Sequence, residues 1–172
     1  MALLVIGIGD CCVSGASSDE LVTYALGSCI GIVVHDPVAQ VGGLLHFLLP
    51  NSSLDRTKAE ANPYLFADSG IPLLFHRAYA QGARKERLVT RVAGGSQMSI
   101  TGGIWNVGEK NTHAARQILS RAGVRIQSEA VGGKMARTVR LNVRTGEMTI
   151  TEVIGNSKKT FLACMGSGDE KR

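Results

Sequence analysis

Apolar residues in this chain fall in short runs separated by turn-forming residues, a pattern of strands more than of long helices. Leu3–Ile8 is the first run, closed by Gly9–Asp10, and predicts a buried strand. Val13–Ser18 is small and polar, and apolar character returns over Leu21–Ala25. Two richer runs follow, Leu26–Asp36 and Val41–Pro50, separated by Pro37–Gln40. The Asp-Pro turn between them predicts a hairpin. Both faces of both strands are apolar, so the hairpin belongs in the middle of a sheet.

Asn51–Asn62 is polar and charged and reads as an exposed loop. Asn62–Pro63 has the form of a helix start, with Asn as the cap and Pro in the first turn. Helical character continues through Leu73–Ala80 and stops at Gly82, with Pro72 expected to kink or restart it. Leu88–Val92 predicts a strand leading into Gly94–Gly95. Lys110–Ala122 predicts a helix with Ala114, Ala115, Ile118 and Leu119 as its apolar stripe and Gly123 as its stop. Val124–Val131, Thr138–Val143 and Glu147–Val153 predict strands, the last two joined by a turn at Arg144–Gly146. Two main helices against so many strands specify an α+β single domain with mixed, mainly antiparallel sheet layers. A doubly wound dinucleotide-binding fold would need regular βαβ alternation and a glycine fingerprint opening a helix, and neither occurs. The expected domain covers residues 1–165, with 166–172 as a frayed tail.

The length of 172 residues suits one packed core, and 44% hydrophobic residues exclude a wholly disordered chain. No apolar run is long enough to span a bilayer as a helix, so no membrane insertion is expected. The net charge of +5 permits an acidic partner. Basic residues are scattered, however, and aromatics at 5% supply no stacking platform, so nucleic acid is not an expected partner. The start lacks a basic n-region and a small-residue cleavage site, and reads as a first strand. Cysteines at 11, 12, 29 and 164 make neither a disulfide framework nor a metal-ligand spacing, which sets a reducing cytoplasm as the default compartment.

The hairpin has a chemical consequence. A four-residue loop places Cys29 opposite either His46 or Leu48, according to whether the loop is 36–39 or 37–40. In either register Cys29 and His46 share a face, with Cβ atoms roughly 4.5–8 Å apart, whereas an odd loop would put them on opposite faces unless a bulge at Gly42–Gly43 restored the register. A neighbouring imidazole favours the thiolate that attacks a carbonyl carbon, and can return the proton to a leaving amine. Thr23 is the nearest hydroxyl whose segment could run beside the same site. Gly27 and Ser28 give the thiol a small-residue approach on which backbone N–H groups could face an oxyanion. From spacing alone, a packed cysteine and a satisfied core histidine are the commoner outcome. Cys11, Cys12 and Cys164 lack any supporting motif. His35 lies about 20 Å along the strand from Cys29, at roughly 3.3 Å per residue, and is a poor base for it. His76 and His113 fall on helices and are expected at the surface. No Cys-x-x-Cys or His-x-x-x-His occurs, so no metal site is expected, and the Gly-Gly pairs lack the Lys-Ser/Thr of a phosphate loop.

Several ordered motifs carry a resemblance. Thr23-Tyr-Ala-Leu-Gly-Ser-Cys29, then His46-Phe-Leu-Leu-Pro50 after the Asp-Pro turn, resembles the CheD family of chemoreceptor glutamine deamidases. Tyr64–Leu73, Gly94-Gly-Ser-Gln-Met98, Gly108-Glu-Lys-Asn111, Val131–Arg137 and Thr145–Gly146 extend the likeness over most of the chain. The resemblance implies a fold like the catalytic domain of cytotoxic necrotizing factor. It also implies Cys29 as nucleophile, His46 as base and Thr23 as the third member of a triad. The implied reaction converts chemoreceptor glutamine to glutamate through a thioester with release of ammonia, without a cofactor, in chemotaxis adaptation. Receptor methylesterase activity and the phosphatase CheC as partner belong to the same expectation.

Three positions depart from the family pattern: Lys110 for arginine, Ala136 for glycine, and Ala93 for a bulky aromatic. Lysine keeps the charge but loses the bidentate fork, and alanine restricts a turn that needs positive φ. The alternative functions are a non-catalytic adaptor for CheC or receptor helices, and an acyl transferase or protease using the same nucleophile.

Overall fold

The β-rich runs do pair into two stacked sheets, and their order decides which residues meet. The computed structural model describes residues 1–97, 106–154 and 156–163. Met98, Cys164 and the tail 166–172 lie outside them.

The strands are β1 (Leu3–Val5), β2 (Asp10–Ser14), β3 (Glu20–Leu26), β4 (Ile30–Asp36), β5 (Val41–Phe47), β6 (Val89–Gly94), β7 (Ile126–Val131), β8 (Arg137–Asn142), β9 (Met148–Ile154) and β10 (Ser157–Leu162). The helices are α1 (Arg56–Ala61), α2 (Ala67–Ala80) and α3 (Val107–Arg121). One sheet runs β1-β3-β8-β9-β10 and the other β2-β5-β4-β6-β7. Pairing is antiparallel except for β1 with β3 and β6 with β7. The fold is thus a mixed, mainly antiparallel α+β domain.

Alternation along the central hairpin splits the core in two. Ile30, Ile32 and Val34 of β4 pack with Leu45 and Phe47 of β5 against Ile71 and Leu74 of α2 and Leu119 of α3. The opposite face places Val33 and Leu44 with Leu21, Val139, Leu141 and Ile150 between the sheets. Every residue of β4 and β5 is buried, as expected for a hairpin at the middle of a sheet.

Three local expectations are corrected. Leu3–Ile8 is not a buried strand: β1 is an edge strand paired only with β3, and Leu3 and Val5 are 49% and 58% exposed. Asn51–Asn62 is not simply a loop but holds a single 3-10 turn at Ser52–Leu54 and the six-residue α1. That helix has no apolar stripe to announce it; the Asp55 carboxylate caps it by accepting from Lys58 N. Asn62–Pro63 opens a separate 3-10 turn over Pro63–Leu65, and α2 starts at Ala67 and runs through Pro72. The carbonyl that Pro72 cannot serve is that of Asp68, in the first turn. Gly82 and Gly123 take positive φ past the ends of α2 and α3, as their positions predict.

Candidate active site

β4 and β5 pair with Asp36 opposite Val41, so the loop is 37–40 and Gly31 faces His46. Continuing the register sets Cys29 across from Leu48 and diagonal to His46. The structure therefore selects the second of the two registers left open by the spacing. Cys29 ends a three-residue bend, Gly27–Cys29, and packs in the inter-sheet cluster beside Leu26 and Ala93. Ala93, at one of the departures from the family pattern, is buried opposite Gly31 in the same cluster as the thiol. Ala136 is not among the residues with positive φ; Gly132 and Gly133 carry that conformation instead.

Thr23 arrives from β3, in the other sheet, and is fully buried. Its hydroxyl donates to the Ile6 carbonyl at 2.7 Å and lies 2.8 Å from His46 Nδ1. Threonine has one hydroxyl hydrogen, and Ile6 takes it. The hydroxyl oxygen therefore accepts from Nδ1–H, which fixes the imidazole tautomer and leaves the Nε2 lone pair free. Nε2 is buried and has no hydrogen-bond partner among the described residues. Burial pushes the His46 pKa down to about 4, so the ring is neutral near pH 7. Burial likewise pushes the Cys29 thiol up, partly offset by its own main-chain N–H. The neutral thiol and the neutral imidazole are thus diagonal neighbours on one face of the ladder with no hydrogen bond between them, and the ring can accept a proton only at Nε2. The structure joins Thr23 and His46 by a direct hydrogen bond and sets Cys29 on the same face.

A second set of residues holds the bend. Gly95 N donates to Cys29 O and Ser96 N to Gly27 O, each at 2.8 Å. The Asn111 amide donates to Ser28 O at 2.9 Å and to Leu48 O at 2.8 Å. Gly94 has φ of +111°, and a Cβ there would overlap the Cys29 carbonyl oxygen. Gly108, in the first turn of α3, sits so close to the 94–96 turn that a Cβ would lie 2.6 Å from Ser96 O. The guanidinium of Arg137 braces the turn from β8, donating to Gly94 O, Gly132 O and Ser96 Oγ while pairing with Glu152 at 2.9 Å. Asn111 and Arg137 belong to motifs visible in the sequence, but nothing local assigned them a role. Their partners lie far away along the chain, and no periodicity links them.

Among the described residues, the other thiols and imidazoles stand apart. Cys11 is packed in the helix-side core, where burial pushes its thiol up to about 12. Cys12 is half-buried. His35 is buried with Nε2 2.8 Å from Val143 O, while His76 and His113 are exposed. An open groove of about 1100 Å³ follows α3, bounded by Gly95, Gln97, Asn106 and Lys134, and neither Cys29 nor His46 lines it. Among the described residues no cluster of three or more His, Cys, Asp or Glu side chains could hold a metal ion. No helix among them is long and apolar enough to cross a membrane.

A family model described as CheD chemotactic sensory transduction matches residues 48–152. That span begins after His46, so Thr23, Cys29 and His46 lie outside it. A probable chemoreceptor glutamine deamidase CheD of Solibacter usitatus is 43% identical over 152 residues, covering 88% of this chain and 90% of its own. The probable chemoreceptor glutamine deamidase CheD 2 of Anaeromyxobacter dehalogenans is 48% identical over 150 residues, covering 87% and 94%. A probable chemoreceptor glutamine deamidase CheD of Pyrococcus abyssi is 40% identical over 152 residues, covering 87% and 91%.

Proposed function

The chain belongs to the CheD family, and on that premise we propose that it deamidates chemoreceptor glutamines through a Cys29 thioester. The observation that carries the reading is the His46 ring: buried, neutral, held in one tautomer by Thr23, with Nε2 unpartnered. A buried acceptor without a partner costs about 1–3 kcal/mol in a purely structural setting. Use as a base for the neighbouring thiol explains it, whereas an adaptor role leaves it unexplained.

In the reaction His46 Nε2 takes the Cys29 proton as Sγ bonds to the carboxamide carbon of the substrate glutamine. The carbonyl π electrons move to oxygen, giving a tetrahedral intermediate. As the oxygen re-forms the double bond, the C–N bond breaks and the imidazolium gives its proton to nitrogen, so ammonia leaves. A low pKa makes the imidazolium a strong acid, which suits the protonation of a poor leaving group. Water then adds to the thioester carbon with His46 again as base, and Cys29 leaves as the thiol with glutamate as product. Thr23 is a neutral orienting group: it selects the tautomer but adds no negative charge to support the imidazolium. Gly27 and Ser28 form the small-residue approach to the thiol.

The same acyl chemistry would accept a receptor methyl ester, with methanol as the leaving group. A receptor cytoplasmic domain as substrate makes the cytoplasm the working compartment. CheC is the docking partner implied by the resemblance, and co-sedimentation of the two purified proteins tests it. The function itself is tested by mass spectrometry of a chemoreceptor cytoplasmic fragment incubated with the wild type or Cys29→Ala. Glutamines converted to glutamate by the wild type alone are the expected result. Conversion by both proteins would remove Cys29 from the mechanism, and conversion by neither would remove the deamidase reading.

A further inference from the structure

Three successive peptide groups around the thiol are turned the same way by partners far off in sequence. The Gly27, Ser28 and Cys29 carbonyls accept from Ser96 N, Asn111 Nδ2 and Gly95 N respectively. These donors sit together, because the first turn of α3 packs directly on the 94–96 turn. In a trans peptide the C=O and the following N–H point in opposite directions, and no cis peptide occurs among the described residues. Holding Ser28 O toward α3 therefore turns Cys29 N–H away from α3, and the same N–H partly offsets the effect of burial on the thiol.

The Asn111 side chain is the part of this clamp that reaches two segments of the site at once. It is fully buried, and its two amide hydrogens are both used, one on the Ser28 carbonyl and one on the Leu48 carbonyl two residues past His46. Flipping the amide would set oxygen against two carbonyl oxygens, so the orientation is unambiguous. Its Oδ1 is buried with no partner among the described residues. The residue thus ties the nucleophile's bend to the strand that carries the base, at the cost of an orphaned acceptor.

We propose that Asn111 is a positioning residue for acyl transfer, holding the Ser28–Cys29 peptide so that Cys29 N–H donates to the oxyanion of the tetrahedral intermediate. The inference rests on the deamidase reading above and adds to it the oxyanion donor and the side chain that aims it. An acyl carbon bonded to Sγ carries its oxygen within reach of the nucleophile's own N–H, and a fixed donor there acts where charge develops.

The test separates acyl transfer from thiol reactivity. Alkylation of Cys29 by iodoacetamide needs the thiolate but forms no oxyanion, so it reports the thiol alone. Asn111→Ala and Asn111→Asp are compared with the wild type in glutamine conversion and in the alkylation rate of the Cys29 peptide, read by mass spectrometry. Asp keeps the size of Asn but turns oxygens toward both carbonyls, and it carries the test should the Ala variant fail to fold. The expected result is a kcat lowered about 10²–10³-fold, the usual loss for one oxyanion donor, with KM and the alkylation rate each within about threefold. A kcat within threefold of the wild type overturns the proposal, as does an alkylation rate that moves in parallel with kcat. A wild type that alkylates normally but converts no glutamine overturns the deamidase reading and this proposal with it.

Discussion

Replacing Thr23 with valine removes one hydroxyl and keeps the side-chain shape, so its effects trace to two hydrogen bonds. The hydroxyl serves the Ile6 carbonyl at 2.7 Å and His46 Nδ1 at 2.8 Å, in a position with no solvent exposure. Both partners stay buried after the change. Orphaning each costs about 1–3 kcal/mol, so Thr23→Val is expected to lose about 2–6 kcal/mol of stability. Activity falls for a separate reason. Without an acceptor at Nδ1, the ring is free to carry its proton on Nε2, where it cannot accept one from Cys29. Restoring the productive tautomer against an orphaned Nδ1–H costs about 1–3 kcal/mol, and each 1.36 kcal/mol is tenfold in rate. The expected drop in kcat is therefore about 5- to 150-fold, read by ammonia release from a receptor fragment under saturating substrate. Thr23→Ser retains the hydroxyl and is expected to stay within about threefold of the wild type. Undiminished turnover by Thr23→Val would refute the tautomer argument. A Ser variant as slow as the Val variant would shift the cause to the lost methyl packing.

Acid should destabilise the protein through His46. Its folded pKa of about 4 lies below the ordinary 6.5, so the unfolded chain binds a proton first as pH falls. Stability is then intact above pH 6.5 and declines between 6.5 and about 4, by up to about 3 kcal/mol from this group. His35, also held down by burial, acts in the same direction. Urea midpoints measured from pH 7 to pH 4.5 check this, and His46→Gln should flatten the slope. The acid limb of kcat should likewise fall below the usual imidazole range, and a limb centred near 6.5 would contradict a buried neutral base. Gly94→Ala combines a φ of +111° with a Cβ that overlaps Cys29 O. It is expected to lower the melting temperature by several degrees and abolish turnover, while Gly82→Ala, with open space around it, should leave turnover unchanged.

Local chemistry made much of this molecule legible. The β4–β5 hairpin follows from two apolar runs and an Asp-Pro turn, and an even loop put Cys29 and His46 on one face whichever register was chosen. α3 and its glycine stop follow from an apolar stripe and Gly123. β1 misled because an apolar run does not reveal whether it has one neighbour or two, and α1 was hidden because a six-residue helix with no buried side is held by its caps.

By itself, then, the sequence determined the α+β class and the central hairpin, and permitted a shared face for a thiol and an imidazole, because turns and side-chain alternation act over a few residues. Only the tertiary structure decided that the loop is 37–40, and that Thr23 crosses from the other sheet to set the His46 tautomer. It alone brought Asn111 to the Ser28 carbonyl, 83 residues away along the chain. Those contacts depend on how the sheets stack and where α3 lands, and stacking is settled by the whole buried surface rather than by any local signal.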